Sequence, residues 1–165
     1  MEYKEAHQYA VDKSSEEYGS DVMQKINNLP VSSATGRLTY VVKIIQALSD
    51  FFETQNLAAV KNQKEFVREF HDYVKSALDG DGQDMKGILV NIKQYFWIQE
   101  FKRDPEKQKA IALFLKHYVT FIKDNVKTIS VEDFLDISDD TPLQGRYFDK
   151  EKVFGDIIEL VEQYI

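Results

Sequence analysis

Residues 104–127 read "DPEKQKAIALFLKHYVTFIKDNVK" and carry the clearest helix signal in the chain. Asp104 is of a type that caps helices, Pro105 suits the first helical position, and Glu106 suits the positive end of the helix dipole. The apolar residues that follow recur at three- and four-residue steps, which is the spacing of one buried helix face. They are Ile111, Phe114, Leu115, Tyr118 and Ile122. The stretch therefore predicts a long amphipathic helix.

Four other stretches have a similar spacing, and together they define the fold class. They cover about 38–52, 63–78, 85–102 and 149–165. The first of these is rich in β-branched residues, so a strand is the alternative there. A weaker pattern covers 2–28, where Gly19 and Ser20 interrupt it, and Pro30 predicts a loop over 29–36. We therefore predict an all-α fold, a single bundle of about five long helices plus one or two short ones.

The composition limits the class of protein. A chain of 165 residues suits one domain, which we expect to span 1–165. The chain has no cysteine, which excludes disulfides, thiol nucleophiles and thiolate metal sites and fits a cytoplasmic location. No apolar run approaches the roughly 20 residues that a membrane span needs, and the first residues are too polar for a signal peptide. We expect a cytoplasmic protein without a membrane segment.

The net charge of −7 is unevenly distributed along the chain. Residues 129–165 hold 3 basic and 10 acidic residues, whereas residues 29–128 carry a net charge of +3. The acidic end could dock on the basic middle or meet a basic partner. Residues 136–148 are an acidic linker candidate before the predicted C-terminal helix. Three aspartates of this region are candidate contacts for a partner protein: Asp136, Asp139 and Asp140.

The predicted helix over 85–102 has two apolar stripes. Met85, Ile88, Leu89, Ile92, Tyr95 and Phe96 form one, and Val90, Trp97 and Phe101 form the other. A helix that is apolar on two sides is either central in its bundle or in contact with a partner. Because aromatic residues often anchor protein interfaces, Trp97 and Phe101 are candidate partner contacts, with a place in the core as the alternative.

The run "LDGDGQD" at 78–84 resembles a calcium-binding loop only superficially. Counted from Asp79, the position that needs glycine is Asp84, and the position that needs a bidentate glutamate is Val90. The glycines instead indicate a turn between two helices. No metal or other cofactor is expected at this loop.

The stretch "FHDYVK" at 70–75 contains adjacent His71 and Asp72. This dipeptide resembles the one that names the HD phosphohydrolases, an all-helical family. The resemblance implies a divalent metal held by His7, His71 and Asp72, with Asp124 as the candidate for the distant aspartate.

Other catalytic signatures are absent from the sequence, namely a Gly-rich phosphate loop, a Gly-x-Ser-x-Gly elbow and an HExxH helix. No enzymatic function is therefore expected, and a metal-dependent phosphohydrolase is the remote alternative.

Basic residues form a stripe along the helix predicted from 104 onwards. Lys109, Lys116, Lys123 and Lys127 follow one another at helical spacing, and Lys102 and Arg103 lie near its start. The stripe suggests contacts with a nucleic-acid backbone, as in a helical subunit of a nucleoprotein complex. The acidic total and the scarcity of arginine favour a solvated helix face, so nucleic-acid contact is the alternative.

Taken as a sequence, the chain favours a non-enzymatic function. Catalytic groups are few and scattered, while aromatic residues and charge asymmetry are ample. We predict a small helical protein that acts by macromolecular binding, such as an inhibitor, an immunity-type protein or an adaptor, with another protein as its partner.

Overall fold

The computed structural model of the protein describes residues 1–27, 33–54, 63–77, 85–126 and 150–165. Within these ranges the chain forms eight helices and no strand, which confirms the all-α prediction. The helices are α1 (Tyr3–Tyr18), α2 (Asp21–Asn27), α3 (Ser33–Thr54), α4 (Gln63–Ala77), α5 (Met85–Tyr95), α6 (Gln99–Arg103), α7 (Pro105–Asn125) and α8 (Lys150–Glu162). No helix in these ranges combines the length and apolarity needed to cross a membrane.

Helix α1 is more regular than the weak pattern over 2–28 predicts. It runs for 16 residues and ends where Gly19 adopts a φ of 95°, a conformation that glycine reaches without the steric cost of a side chain. Its buried residues are small and four apart: Ala6, Ala10 and Ser14. Small side chains let two helices approach closely, and α1 makes its most extensive contacts with α7. An alanine and serine stripe is weakly apolar, which is why the sequence pattern underestimates this helix.

Helix α4 follows its predicted span closely, whereas α3 is longer than the predicted stretch of about 38–52. Helix α3 begins at Ser33, so the loop predicted over 29–36 is wrong for its last four residues. The physical reason is that Pro30 restricts only the residue before it and leaves the following residues free to be helical. The strand alternative for this stretch is wrong, because the buried residues recur at helical spacing. These are Val41, Ile44, Ile45, Leu48, Phe51 and Phe52.

Helix α7 is the most deeply buried helix of the described chain. Its predicted start is confirmed, since the Lys107 backbone N–H donates a hydrogen bond of 3.3 Å to Asp104 Oδ1 and Pro105 is the first helical residue. All five residues of its predicted stripe are buried, and so are Ala112, Leu113 and Val119 outside that stripe. Its most extensive contacts are with α1 and α8. The central helix is therefore α7, whereas a central place for the helix over 85–102 was one of the two alternatives that its apolar stripes allowed.

The prediction of one helix over 85–102 is wrong, because a turn divides it into α5 and α6. The backbone N–H groups of Phe96 and Trp97 donate to carbonyls only three residues back, at 3.1 and 3.0 Å. Ile98 then adopts an extended conformation with φ −70° and ψ 157°. Gln108 Nε2 of α7 donates to the Phe96 carbonyl at 2.9 Å and satisfies an acceptor that the helix no longer uses. Helix α6 consequently starts on a new axis.

Helix α8 packs on its own chain, antiparallel to α7. Its early residue Glu151 lies near Lys123, with Oε2 to Nζ at 3.8 Å, and its late residue Glu162 lies near Lys116, with Oε1 to Nζ at 3.9 Å. The buried face of the helix consists of Val153, Phe154, Ile157 and Val161. The C-terminal helix therefore packs on α7, whereas the acidic residues of 129–149 lie outside the described residues, and where they dock stays a prediction. The linker predicted at 136–148 lies outside the described residues.

Candidate functional site

Large apolar side chains reach the surface at three places in the described chain. They are Val90, Trp97 and Ile165, which are 45%, 56% and 47% exposed. Val90 lies on α5, and Trp97 lies in the turn after it. Ile165 follows Tyr164, whose ring stacks on that of Phe96 with a centroid distance of 4.4 Å. The end of α8 therefore lies beside the turn that carries Trp97, and all three exposed side chains belong to α5, α8 or the residues next to their ends.

Helix α5 has two clearly different faces. Its buried residues are Met85, Ile88, Ile92 and Tyr95. The other face presents exposed Lys86, Val90 and Lys93, followed at the same spacing by Trp97. Lys93 Nζ lies 5.2 Å from the centroid of the Trp97 ring, within the range of a cation–π contact. The outer face of α5 is therefore a mixture of lysines and large apolar groups rather than a uniformly solvated surface.

A groove of about 480 Å³ lies between α5 and α8. Its apolar lining consists of Met85, Leu89, Val90 and Leu160, and its charged lining consists of Lys86, Lys93, Lys152 and Asp156. Lys152 Nζ and Asp156 Oδ1 pair across one helical turn at 2.8 Å. We call this feature the α5–α8 groove. Since Lys93 both lines the groove and contacts the Trp97 ring, the groove and the indole form one continuous surface.

The structure separates the two aromatic residues that the sequence placed together. Trp97 is exposed, as expected for a partner contact, but Phe101 is only 2% exposed. The Phe101 ring packs against Tyr95 and Phe96 at centroid distances of 5.3 and 6.1 Å. The placement of Phe101 on a binding surface is therefore wrong, because the turn before α6 rotates its side chain into the core.

The predicted acidic contacts cannot be placed on this surface. Asp136, Asp139 and Asp140 lie outside the described residues. Their contact with a basic partner stays a prediction.

The lysine stripe of α7 is not the continuous solvated surface that its spacing predicts. Helix α8 covers its middle, where Lys116 and Lys123 pair with glutamates of α8 as described above. Lys109 is exposed, and Lys102 and Arg103 are exposed at the end of α6. Lys127 lies outside the described residues. Nucleic-acid binding stays a prediction, but two of its lysines already have carboxylate partners within the chain.

The residues of the HD-like hypothesis are not brought together. His7 lies on α1, where its ring contacts Phe114 edge-on at a centroid distance of 5.2 Å. His71 and Asp72 lie on α4 with Nδ1 and Oδ1 3.8 Å apart, and Asp124 is exposed near the end of α7. Among the residues that the structure describes, no three His, Cys, Asp or Glu side chains are grouped to hold a metal ion. The loop at 78–84 lies outside those residues.

The third histidine, His117, is buried between α7 and α1. Its Nε2 lies 3.0 Å from Glu17 Oε1, and the Tyr9 ring lies edge-on to it at 6.3 Å. Burial lowers the pKa of His117 below its ordinary value of 6.5, because a buried imidazolium loses its hydration. Nearby Glu17 offsets only part of this effect, and Lys116 adds to it. His117 is therefore neutral at neutral pH and belongs to the packing between these helices.

We expect the protein to lose stability as the pH falls below about 6.5, and the variant His117→Gln to lose less. The unfolded histidine binds a proton near its ordinary pKa, whereas the folded one does so only at lower pH, so protonation favours the unfolded chain. One proton contributes a slope of at most about 1.4 kcal/mol per pH unit. Urea denaturation of both proteins between about pH 7.5 and pH 5.5 measures the difference in slope. Equal slopes for the two proteins, or an NMR titration that gives folded His117 a pKa above 6.5, would contradict the lowered pKa of this residue.

A partly buried polar network that the sequence analysis missed joins α1, α3 and α7. The Tyr3 hydroxyl lies within hydrogen-bonding distance of Asp50 Oδ1 and 3.0 Å from the Gln46 carbonyl oxygen. Gln46 Nε2 in turn donates to the Tyr118 hydroxyl at 3.0 Å. Burial, together with the hydrogen bond to Asp50, raises the pKa of Tyr3, so its hydroxyl stays protonated. Polar Gln46 and Asp50 within the apolar pattern of α3 are the signal that could have indicated this network.

Comparisons with protein-family models, with curated proteins and with solved structures found no match to this chain.

Proposed function

We propose that this protein acts by binding another protein and does not catalyse a reaction. The binding surface consists of the α5–α8 groove together with Trp97. The observation that carries this proposal is the exposure of the Trp97 indole beside Val90 and the groove. Tryptophan is among the residues that most often contribute strongly to binding when a partner covers them.

The arrangement of the surface supports protein binding rather than a small-molecule reaction. Exposed large apolar groups that cluster beside a groove are characteristic of interaction surfaces, whereas scattered ones are ordinary. The titratable groups of the groove are three lysines and Asp156, and Asp156 is already paired with Lys152. Such a set lacks the adjacent nucleophile and base that most hydrolytic or transfer reactions need. An inhibitor, an immunity-type protein or an adaptor would use a surface of this kind, and the cytoplasmic location expected from the sequence stays a prediction.

We expect the double variant Val90→Ser/Trp97→Ala to bind its natural partner at least about tenfold more weakly than the wild type. The partner is first identified by gentle purification of the tagged protein from its native cell at low salt, and the affinities are then measured with the purified pair. Both substitutions are at exposed positions, so thermal unfolding should change little.

The matched control is the double variant Lys102→Ala/Lys109→Ala, which changes exposed residues of α6 and α7 and should bind like the wild type. The proposal fails if the Val90/Trp97 variant keeps full affinity. If nucleic acid copurifies with the wild type and the Lys102→Ala/Lys109→Ala variant loses it, the protein is instead a subunit of a nucleoprotein complex.

A further inference from the structure

The charge around the α5–α8 groove differs from that of the whole chain. The protein has 28 acidic and 21 basic residues, yet three lysines and one aspartate line the groove. Lys86 and Lys93 come from α5, whereas Lys152 and Asp156 of α8 pair with each other, so the net positive charge of the groove lies on the α5 wall. Between these charged residues lie Leu89, Val90 and Leu160. The groove therefore combines an apolar floor with a basic rim on an acidic protein.

We propose that the α5–α8 groove binds an acidic amphipathic helix of the partner protein, an inference that rests on the proposed function. The apolar side chains of that helix lie on the floor of the groove, and its carboxylates lie on the lysines of the rim. Leu89 and Leu160 are only partly buried, so each retains apolar surface for such a ligand. A groove between two packed helices, lined by apolar residues and flanked by charge, is a common site for helix recognition.

Charge complementarity favours an acidic helix over a basic segment as the occupant of the groove. A basic segment, which the acidic C-terminal region of the sequence suggested as a target, would meet like charges at Lys86 and Lys93. A membrane surface is also anionic, but it cannot enter a concave groove of about 480 Å³.

The only tryptophan of the chain provides a direct test. Two synthetic peptides without aromatic residues, each about five helical turns (roughly 18 residues) long, carry leucines at identical positions along one face. One has glutamates on its remaining positions, and the other has lysines. We expect the glutamate peptide to shift the Trp97 emission to shorter wavelength in a saturable manner, because binding removes the exposed indole from water. The lysine peptide should produce no shift.

Charge-reversed variants separate electrostatic recognition from apolar contact. The variant Lys86→Glu/Lys93→Glu should bind the glutamate peptide at least about tenfold more weakly, measured by the anisotropy of a labelled peptide. The variant Lys4→Glu/Lys109→Glu makes the same change in net charge at exposed positions on α1 and α7 and should retain the affinity. Added salt should weaken the binding of the wild type.

Several results would overturn this inference. They are equal binding of the two peptides, no binding of the glutamate peptide, and no effect of Lys86→Glu/Lys93→Glu. An emission shift caused only by vesicles of anionic phospholipid, or by raising the protein concentration alone, would assign the surface to a membrane or to a second copy. If the glutamate peptide fails while Val90→Ser/Trp97→Ala still loses the natural partner, the proposed function stands and only the acidic occupant is wrong. If that variant keeps the natural partner, the proposed function itself is wrong.

Discussion

Replacing Phe101 by alanine should lower the free energy of unfolding by about 3–5 kcal/mol, whereas replacing Trp97 should change it by less than about 1 kcal/mol. Phe101 is 2% exposed and packs against two other aromatic rings, so its truncation leaves a cavity in the core. Trp97 is 56% exposed, and its contact with the Lys93 ammonium contributes little at a solvated site. The larger aromatic residue is therefore the less important one for stability.

Urea denaturation followed by circular dichroism measures both variants on the same scale, since Trp97→Ala removes the fluorescent probe. The comparison tests the turn between α5 and α6. In an uninterrupted helix, residues 97 and 101 lie one turn apart on the same face, so their side chains would share one environment. Similar destabilisation by the two substitutions would therefore indicate that the helix continues through this segment.

The division between α5 and α6 shows where sequence patterns stop being informative. The segment "YFWIQ" at 95–99 contains neither proline nor glycine, the usual signals of a helix end. The turn is stabilised by contacts from elsewhere, namely the hydrogen bond from Gln108 and the burial of Ile98. Of the two apolar stripes, the first lies mainly on the inner face of α5, whereas the second is divided by the turn, since Val90 and Trp97 are exposed and Phe101 is buried.

The candidate site could be predicted only in part for the same reason. Trp97 was identified from its residue type and its place outside the main apolar stripe. The α5–α8 groove was not, since it exists only where α8 lies beside α5, and no local pattern specifies that neighbour. The charge distribution left open whether the acidic end docks on the basic middle or meets a partner. It could not indicate that the packing of α8 would pair Lys116 and Lys123 with glutamates and leave Lys86 and Lys93 exposed.

The attachment of α8, which forms one wall of the groove, should depend on apolar burial much more than on its ion pairs. Phe154 is completely buried, and its ring lies 5.9 Å from that of Phe52 on α3. We expect Phe154→Ala to lower the free energy of unfolding by about 3–5 kcal/mol. The double variant Lys116→Ala/Lys123→Ala should lower it by less than about 1 kcal/mol, because both ion pairs are partly exposed and their atoms are 3.8 Å or more apart.

Urea denaturation gives the total effects, and amide hydrogen exchange locates them, since a loosened α8 exchanges faster than α1 or α7. If the lysine variant costs as much as Phe154→Ala, and if salt destabilises the wild type to the same extent, electrostatic attraction holds the helix instead. The distinction affects the binding surface directly. A helix held by buried Phe154 keeps the groove formed at any ionic strength, so the salt dependence of peptide binding would then report on the charges of the surface, among them Lys86 and Lys93, and not on loss of the groove.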